Sequence, residues 1–204
     1  MPTIYDIKPA FQGLLRPLVA RLAAAGVTAN RVTIAAAALS CAAGGALAWR
    51  PQSLWPLLLM PAVLFARMAL NAIDGMLARE HNMKSPLGGI LNELSDVVSD
   101  AALYLPFAFV PGLSSALVIA VVLLAIVSEM AGVVAVQIGA SRRYDGPLGK
   151  SDRAFLFGLL GLLGGLGVAF GRWTDIVLAV ACLLLVITVL NRSRKALAEI
   201  ATDP

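Results

Sequence analysis

Between Arg31 and Leu190 long apolar stretches alternate with short polar, Pro- or Gly-containing joints. Each stretch is near the ~20 residues that a helix needs to cross a bilayer core, which predicts spans over 31–49, 54–78, 87–110, 114–140, 154–170 and 174–190. Pro51, Pro56, Pro86, Pro111-Gly112 and Gly171 fall at most of the joints. Ahead of the spans, Phe11, Leu14, Leu15, Leu18 and Leu22 recur at helical spacing, with Lys8, Arg16 and Arg21 nearby. That segment predicts a helix lying on the membrane surface, stopped at Gly26, with Asn30 capping the next helix. The expected architecture is an all-α integral membrane protein: an N-terminal amphipathic surface helix followed by six transmembrane helices. One domain covers 1–204, with the surface helix in 1–26, the six-helix bundle in 31–190 and a cytoplasmic tail in 191–204.

Composition supports the membrane reading. The 204 residues are 59% hydrophobic and only 14% charged, and the mean hydropathy is +0.85, too apolar for an ordinary soluble domain. Cys41 and Cys182 sit in apolar segments without CxxC spacing and read as small packing residues. The first 25 residues mix apolar and basic positions instead of forming one apolar core, so no cleaved secretory signal is expected. Gly158, Gly161, Gly164, Gly165 and Gly167 predict a close-packing helix face, with Gly161 and Gly165 in GxxxG spacing; it could serve dimerisation or intramolecular packing.

Charge sets the orientation. Six spans put both termini on one side, and that side receives Lys8, Arg16, Arg21, Arg31, Arg79, Lys84, Arg142, Arg143, Lys150, Arg153, Arg192, Arg194 and Lys195 of the 16 Lys and Arg. Arg50 and Arg172 fall on the other side, and Arg67 lies within a span. The positive-inside rule makes both termini cytoplasmic, and a bacterial inner membrane is the expected location. The net charge of +4 suits anionic lipid headgroups, whereas basic residues spread among membrane flanks give no nucleic-acid footprint.

Against this background Asn71, Asp74-Gly75, Ala78-Arg79, Gly88, Asn92-Glu93, Asp96 and Asp100 form a dense polar run. Ionisable groups at membrane depth cost on the order of 3 kcal/mol each, so a cluster lines a cavity, binds ions or does chemistry. Asn71 and Asp74 share a face of one predicted helix; Asn92, Asp96 and Asp100, with Glu93 on a three-then-four stripe, share a face of the next. Two oxygen-rich helix faces make a site for a hard divalent cation, Mg2+ or Mn2+, which would turn the cluster from repelling a pyrophosphate to attracting it. Gly75 and Ala78 lack bulk, Gly88 keeps the opposite wall small, and Arg79 can fork onto phosphate oxygens.

The pattern Asp74-Gly75-x2-Ala78-Arg79-x8-Gly88-x3-Asn92-x3-Asp96 resembles the CDP-alcohol phosphotransferase (CDP-alcohol phosphatidyltransferase) family of membrane enzymes of phospholipid synthesis. The resemblance implies that an acceptor hydroxyl attacks the β-phosphorus of a CDP-linked donor and CMP leaves. It assigns Asp96 as general base, Asn71, Asp74 and Asn92 as metal ligands, and Gly75, Ala78, Arg79 and Gly88 as the CDP cradle. The family pattern has aspartates where this chain has Asn71 and Asn92. Glu93 and Asp100 could restore that charge, leaving three arrangements: a rearranged two-metal site, a single held metal, or an inactive homologue.

The basic loop 142–153 resembles an acceptor- or phosphate-binding loop of bacterial members, with Arg142, Arg143 and Lys150 as its candidates. Glu129 is a second intramembrane acid that could face the same cavity. The implied partners are CDP-diacylglycerol or another CDP-alcohol, a small alcohol or lipid acceptor, membrane lipids and, as is usual in that family, a second copy in a homodimer. A different class, a small transporter with a carboxylate pathway through Asp74, Glu93, Asp96, Asp100 and Glu129, has no use for Gly75-x2-Ala78-Arg79.

Overall fold

Helix propensity and apolar periodicity dominate this chain, and the computed structural model is helical throughout. It describes residues 4–202, with side chains over 11–201; Lys8 and the last residues of the expected tail fall outside those side chains. Among the described residues there are seven α-helices and one 3-10 turn: α1 (Ile4–Ala24), α2 (Ala29–Trp49), α3 (Leu54–Glu80), α4 (Pro86–Tyr104), α5 (Ser115–Gln137), α6 (Lys150–Gly165) and α7 (Arg172–Thr202), with the 3-10 turn at Leu105–Phe109. No strand occurs among them.

Four helices are long and apolar enough to cross a membrane: α2, α3, α5 and α7. The helix α4 carries the acids of the polar run, and α6, with 16 residues, is only about 24 Å long. The expected boundary after 190 is absent, because α7 continues as helix to Thr202.

The ends follow local chemistry. Gly26 adopts φ 74° after α1, and the Val27 N–H donates to Leu22 O at 2.9 Å while the Gly26 N–H donates to Ala23 O at 3.0 Å. This is the left-handed C-terminal cap that glycine favours, so the expected stop holds. The expected cap at Asn30 moves: the Arg31 N–H donates to Thr28 Oγ1 at 3.4 Å, making Thr28 the cap and placing Asn30 inside the first turn of α2. Ser85 caps α4, accepting from the Gly88 N–H at 3.0 Å, with Pro86 at the first helical position, where its missing N–H costs nothing. Ser114 caps α5, accepting from the Leu117 N–H at 3.4 Å.

The chain forms two compact units, Met1–Ala42 with Ala62–Ser99 and Ala43–Pro61 with Asp100–Pro204. In the first unit Val19 of α1, Ala29 and Val32 of α2, and Ile73, Met76 and Leu77 of α3 form the core, flanked by Leu15 and Leu22. The apolar stripe read along α1 therefore splits. Leu15, Val19 and Leu22 face this core, whereas Leu14 and Leu18 are exposed. Arg16 clasps the Glu80 carboxylate at 3.0 and 3.1 Å, tying α1 to the end of α3.

In the second unit Tyr104 stacks on Phe157 with centroids 4.2 Å apart, and Phe107 meets the same ring edge-on at 5.1 Å. Small residues let helices approach closely here. A Cβ on Gly44 would lie 1.9 Å from Ala102 O. Gly161 and Gly165 of α6 meet Met60 and Leu57, and Leu58, so the GxxxG face is used for packing within the chain. Pro61 has no N–H to return to the Leu57 carbonyl, and a Cβ on Gly161 would sit 2.9 Å from that oxygen.

Candidate functional site

On α3 a polar face recurs at helical spacing through Arg67, Asn71 and Asp74, and the first unit turns it toward α4. Asp74 is buried, 5% exposed, and its Oδ2 accepts from Thr33 Oγ1 of α2 at 2.8 Å. The same hydroxyl lies 3.1 Å from Ala29 O, but it has one proton, and the shorter, charge-assisted bond to Asp74 is the stronger. Asn71 Nδ2 donates to Asp96 Oδ1 at 3.3 Å. Arg67 donates to the Asp96 backbone oxygen at 3.1 Å and lies 3.6 Å from Asp96 Oδ1, its own side chain only 4% exposed. Asp96 is thus held by two side chains of α3.

Gly75, Ala78, Arg79 and Gly88, the residues expected to cradle CDP, also lie in this unit. Gly75 does not leave its space empty, because the Arg79 guanidinium folds back over it: a Cβ there would lie 3.2 Å from Arg79 Nη2. Gly88 makes room for Asn30, whose Oδ1 would be 2.9 Å from a Cβ at 88. Ala78 packs against the apolar core of the unit. Arg79 is exposed. Between α3 and α4 the chain passes through Asn82 at φ 56°, a left-handed conformation that asparagine tolerates.

The ligand half departs further from expectation. Asn92 is exposed and Glu93 half-buried on α4. Asp100 belongs to the second unit, where Arg153 of α6 donates to its Oδ2 from Nη2 at 2.8 Å and from Nε at 3.3 Å. Among the described residues no three His, Cys, Asp or Glu side chains come together to hold a metal ion. What remains is Asp74 and Asp96 with the amide of Asn71. Mg2+ is commonly held by one or two carboxylates together with substrate phosphates, so this set fits one cation shared with a phosphate ligand and does not fit a resident pair.

The second unit contains a separate ion network. Glu129 of α5 accepts from Arg142 at 3.1 Å and from Arg153 at 3.0 Å, and Arg192 lies 3.5 Å away. Arg192 also donates to Ser128 O at 2.5 Å and to Asp145 O at 3.2 Å. The loop arginines proposed for phosphate are engaged internally: Arg142 sits on Glu129 and over the Tyr144 ring, and Arg143 bonds Asp145 at 2.9 Å and Glu199 at 2.6 Å. Lys150 opens α6. Lys195 at 2.6 Å, followed by Arg143, holds the Asp145 carboxyl below its usual range. Sequence reasoning passed over Thr33 and treated Arg67, Arg153 and Arg192 only as topology markers. For Arg67 the signal was present, since it precedes Asn71 by four residues on the same face.

The model of the CDP-alcohol phosphatidyltransferase family matches residues 26–190. Over 195 residues the chain is 49% identical to the inner membrane protein YnbA of Escherichia coli, covering 96% of each. It is 31% identical over 193 residues to the phosphatidylinositol phosphate synthase of Mycobacteroides abscessus, covering 88% of this chain and 83% of that one. Among solved structures, the phosphatidylinositol phosphate synthase of Mycobacterium tuberculosis in complex with manganese and citrate is similar in fold, with a TM-score of 0.76 at 19% identity, covering 92% of this chain and 91% of that one. The same enzyme with CDP-DAG bound gives a TM-score of 0.71 at 22% identity, covering 92% of this chain and 94% of that one.

Proposed function

Since the chain belongs to the CDP-alcohol phosphatidyltransferase family, we propose that it transfers a phosphatidyl, or other substituted phosphate, group from a CDP-linked donor to an alcohol and releases CMP in phospholipid synthesis. CDP-diacylglycerol is the proposed donor. The observation that carries this reading is the junction of α3 and α4 in the first unit: Asn71, one turn before Asp74, bonds Asp96, while Arg79 lies over Gly75 at the open end of the same helix.

In the proposed reaction the acceptor hydroxyl oxygen forms a bond to the β-phosphorus, and the bond from that phosphorus to the oxygen bridging to the α-phosphate breaks. Asp96 takes the hydroxyl proton and passes it to solvent. Asn71 aims the Asp96 carboxylate by donating to its Oδ1, and Arg67 fixes the Asp96 backbone by donating to its carbonyl. Arg79 places a fork of donors for phosphate oxygens, and Thr33 fixes the Asp74 carboxylate. Asp74, Asp96 and the Asn71 oxygen would hold a Mg2+ or Mn2+ ion, which when bound neutralises phosphate charge.

In the membrane we propose that α2 to α7 form the six spans, with both termini cytoplasmic. Exposed Leu14 and Leu18 beside Arg16 and Arg21 support α1 as a surface helix. The transporter alternative loses two of its acids, because Asp100 and Glu129 are both bonded by arginine.

The test is CMP release by purified protein given CDP-diacylglycerol, Mg2+ or Mn2+, and a panel of acceptors including glycerol phosphate, serine and inositol phosphate. Release is expected with one acceptor, and Asp96→Asn should lower it by about 10²-fold or more with the fold intact. No CMP with any pairing, or an unaffected Asp96→Asn variant, would refute the reading.

A further inference from the structure

Resting on that reading of the site, we infer that the Arg67 guanidinium takes the place of a second metal cation, so that the chain holds a single divalent ion and holds it only together with the pyrophosphate of the donor.

Three observations lead there. Arg67 is nearly enclosed, with 4% of its side chain exposed, and lies 3.6 Å from Asp96 Oδ1. The guanidinium brings a positive charge beside Asp96 before any metal ion arrives. Asn71 turns an N–H toward the same oxygen at 3.3 Å. That donor takes the Asp96 side of the amide and leaves only the Asn71 oxygen as a ligand for one ion. The acids that could have restored the missing charge do not converge: Asp100 is bonded by Arg153, whose side chain is 1% exposed, and no three acidic, His or Cys side chains meet among the described residues.

The charges then favour one ion. The two expected acids replaced by Asn71 and Asn92 remove two negative charges, and Arg67 adds a positive one. A divalent ion arriving alone finds Asp74, backed by Thr33, and an Asp96 already compensated by Arg67. Mg2+ and Mn2+ rarely settle on so few protein oxygens unless phosphates complete the shell. The donor pyrophosphate supplies those oxygens, and Arg79 supplies a counter-charge that is not a metal. Metal and donor are therefore expected to bind together, each strengthening the other by the same factor.

Equilibrium dialysis of purified protein in detergent against Mn2+, with and without labelled CDP, tests this without turnover. Wild type should retain one Mn2+ per chain with CDP and bind Mn2+ at least about tenfold more weakly without it, a coupling of the size common between linked sites. Arg67→Met should raise the affinity for Mn2+ in the absence of CDP. Because Arg67 is buried, the Asn71→Asp/Asn92→Asp double variant, which keeps it, provides the second arm: it should bind Mn2+ more tightly without CDP yet still retain only one Mn2+ per chain, and a second Mn2+ on it would overturn the role given to Arg67. Two Mn2+ per wild-type chain, Mn2+ binding that ignores CDP, or no change in folded samples of either variant overturns the inference while leaving the nucleotide site standing. Failure of wild type to retain CDP overturns the nucleotide reading and this inference with it.

Discussion

Two adjacent glycines in α2 should respond oppositely to the same substitution. A Cβ at Gly44 would meet Ala102 O at 1.9 Å and Ala102 C at 2.7 Å, both backbone atoms of α4, whereas a Cβ at Gly45 would meet nothing within 4 Å. Ordinary contact begins near 3.4 Å, so Gly44→Ala must part the two backbones by about 1.5 Å. No side-chain rotation relieves the clash. Overpacking of this kind costs about 1–3 kcal/mol even when side chains can yield, and a rigid carbonyl puts Gly44 at the upper end. Alanine is also a better helix former by about 1 kcal/mol, a gain that applies at both positions. The expected net effect is a loss of about 2 kcal/mol for Gly44→Ala and a gain of up to about 1 kcal/mol for Gly45→Ala. For a chain of this length 1 kcal/mol moves the midpoint by about 2–4 °C, so Gly44→Ala should melt roughly 4–8 °C below wild type. Thermal unfolding in one detergent, followed by far-UV circular dichroism, measures both variants. A Gly44→Ala variant that melts with or above Gly45→Ala would refute the close helix crossing.

Removing the guanidinium in Arg153→Met strips Asp100 of its 2.8 Å partner and Glu129 of one of its arginines. Breaking a buried pair from one side should cost about 3–5 kcal/mol, more than Asp100→Asn, after which Arg153 still has Glu129; chemical denaturation in detergent compares the two. Asp145 supplies a pH dependence. Its carboxyl is held low by Lys195 and Arg143, so its contribution is complete above the ordinary aspartate value near 3.9 and disappears as pH falls through the lowered folded value. The stability gap between wild type and Asp145→Asn, about 1 kcal/mol or less for so exposed a pair, should be present at pH 7 and shrink below about pH 4. A gap independent of pH would contradict the ion pair.

Hydrophobic runs carried most of the helix boundaries, because span length and Pro or Gly joints are local properties of the sequence. Gly26 could be identified as a stop for the same reason. Thr28 displaced Asn30 as the cap because either residue type can cap, and only the position of the first turn decides between them. The closeness of Gly75 and Arg79 was legible as spacing, since they lie one turn apart on one helix. Which residue fills the space above Gly75 was not, because a missing side chain does not announce its neighbour. Ion pairing was the least legible layer. Arg153 and Arg192 sit among basic residues that also mark a cytoplasmic face, and only tertiary contact separates a surface charge from the buried partner of Asp100 or Glu129. Beyond 190 the pairing was equally hidden: Lys195 and Glu199 bond Asp145, Ser141 and Arg143.

The network around Glu129 also imposes an order on biosynthesis. Glu129 precedes Arg142, Arg153 and Arg192, the three arginines set around it. A chain emerging from the ribosome therefore delivers this carboxylate toward lipid before these counter-ions have been made, at a transient cost on the order of 3 kcal/mol. α5 has the means to bear this, as its mean hydropathy of 2.7 is the highest of the four candidate spans. Synthesis of α6 and then α7 brings the arginines in, and Arg192, near the end of the chain, arrives last. The half of the protein that contains α5 to α7 is thus fastened by its final helix.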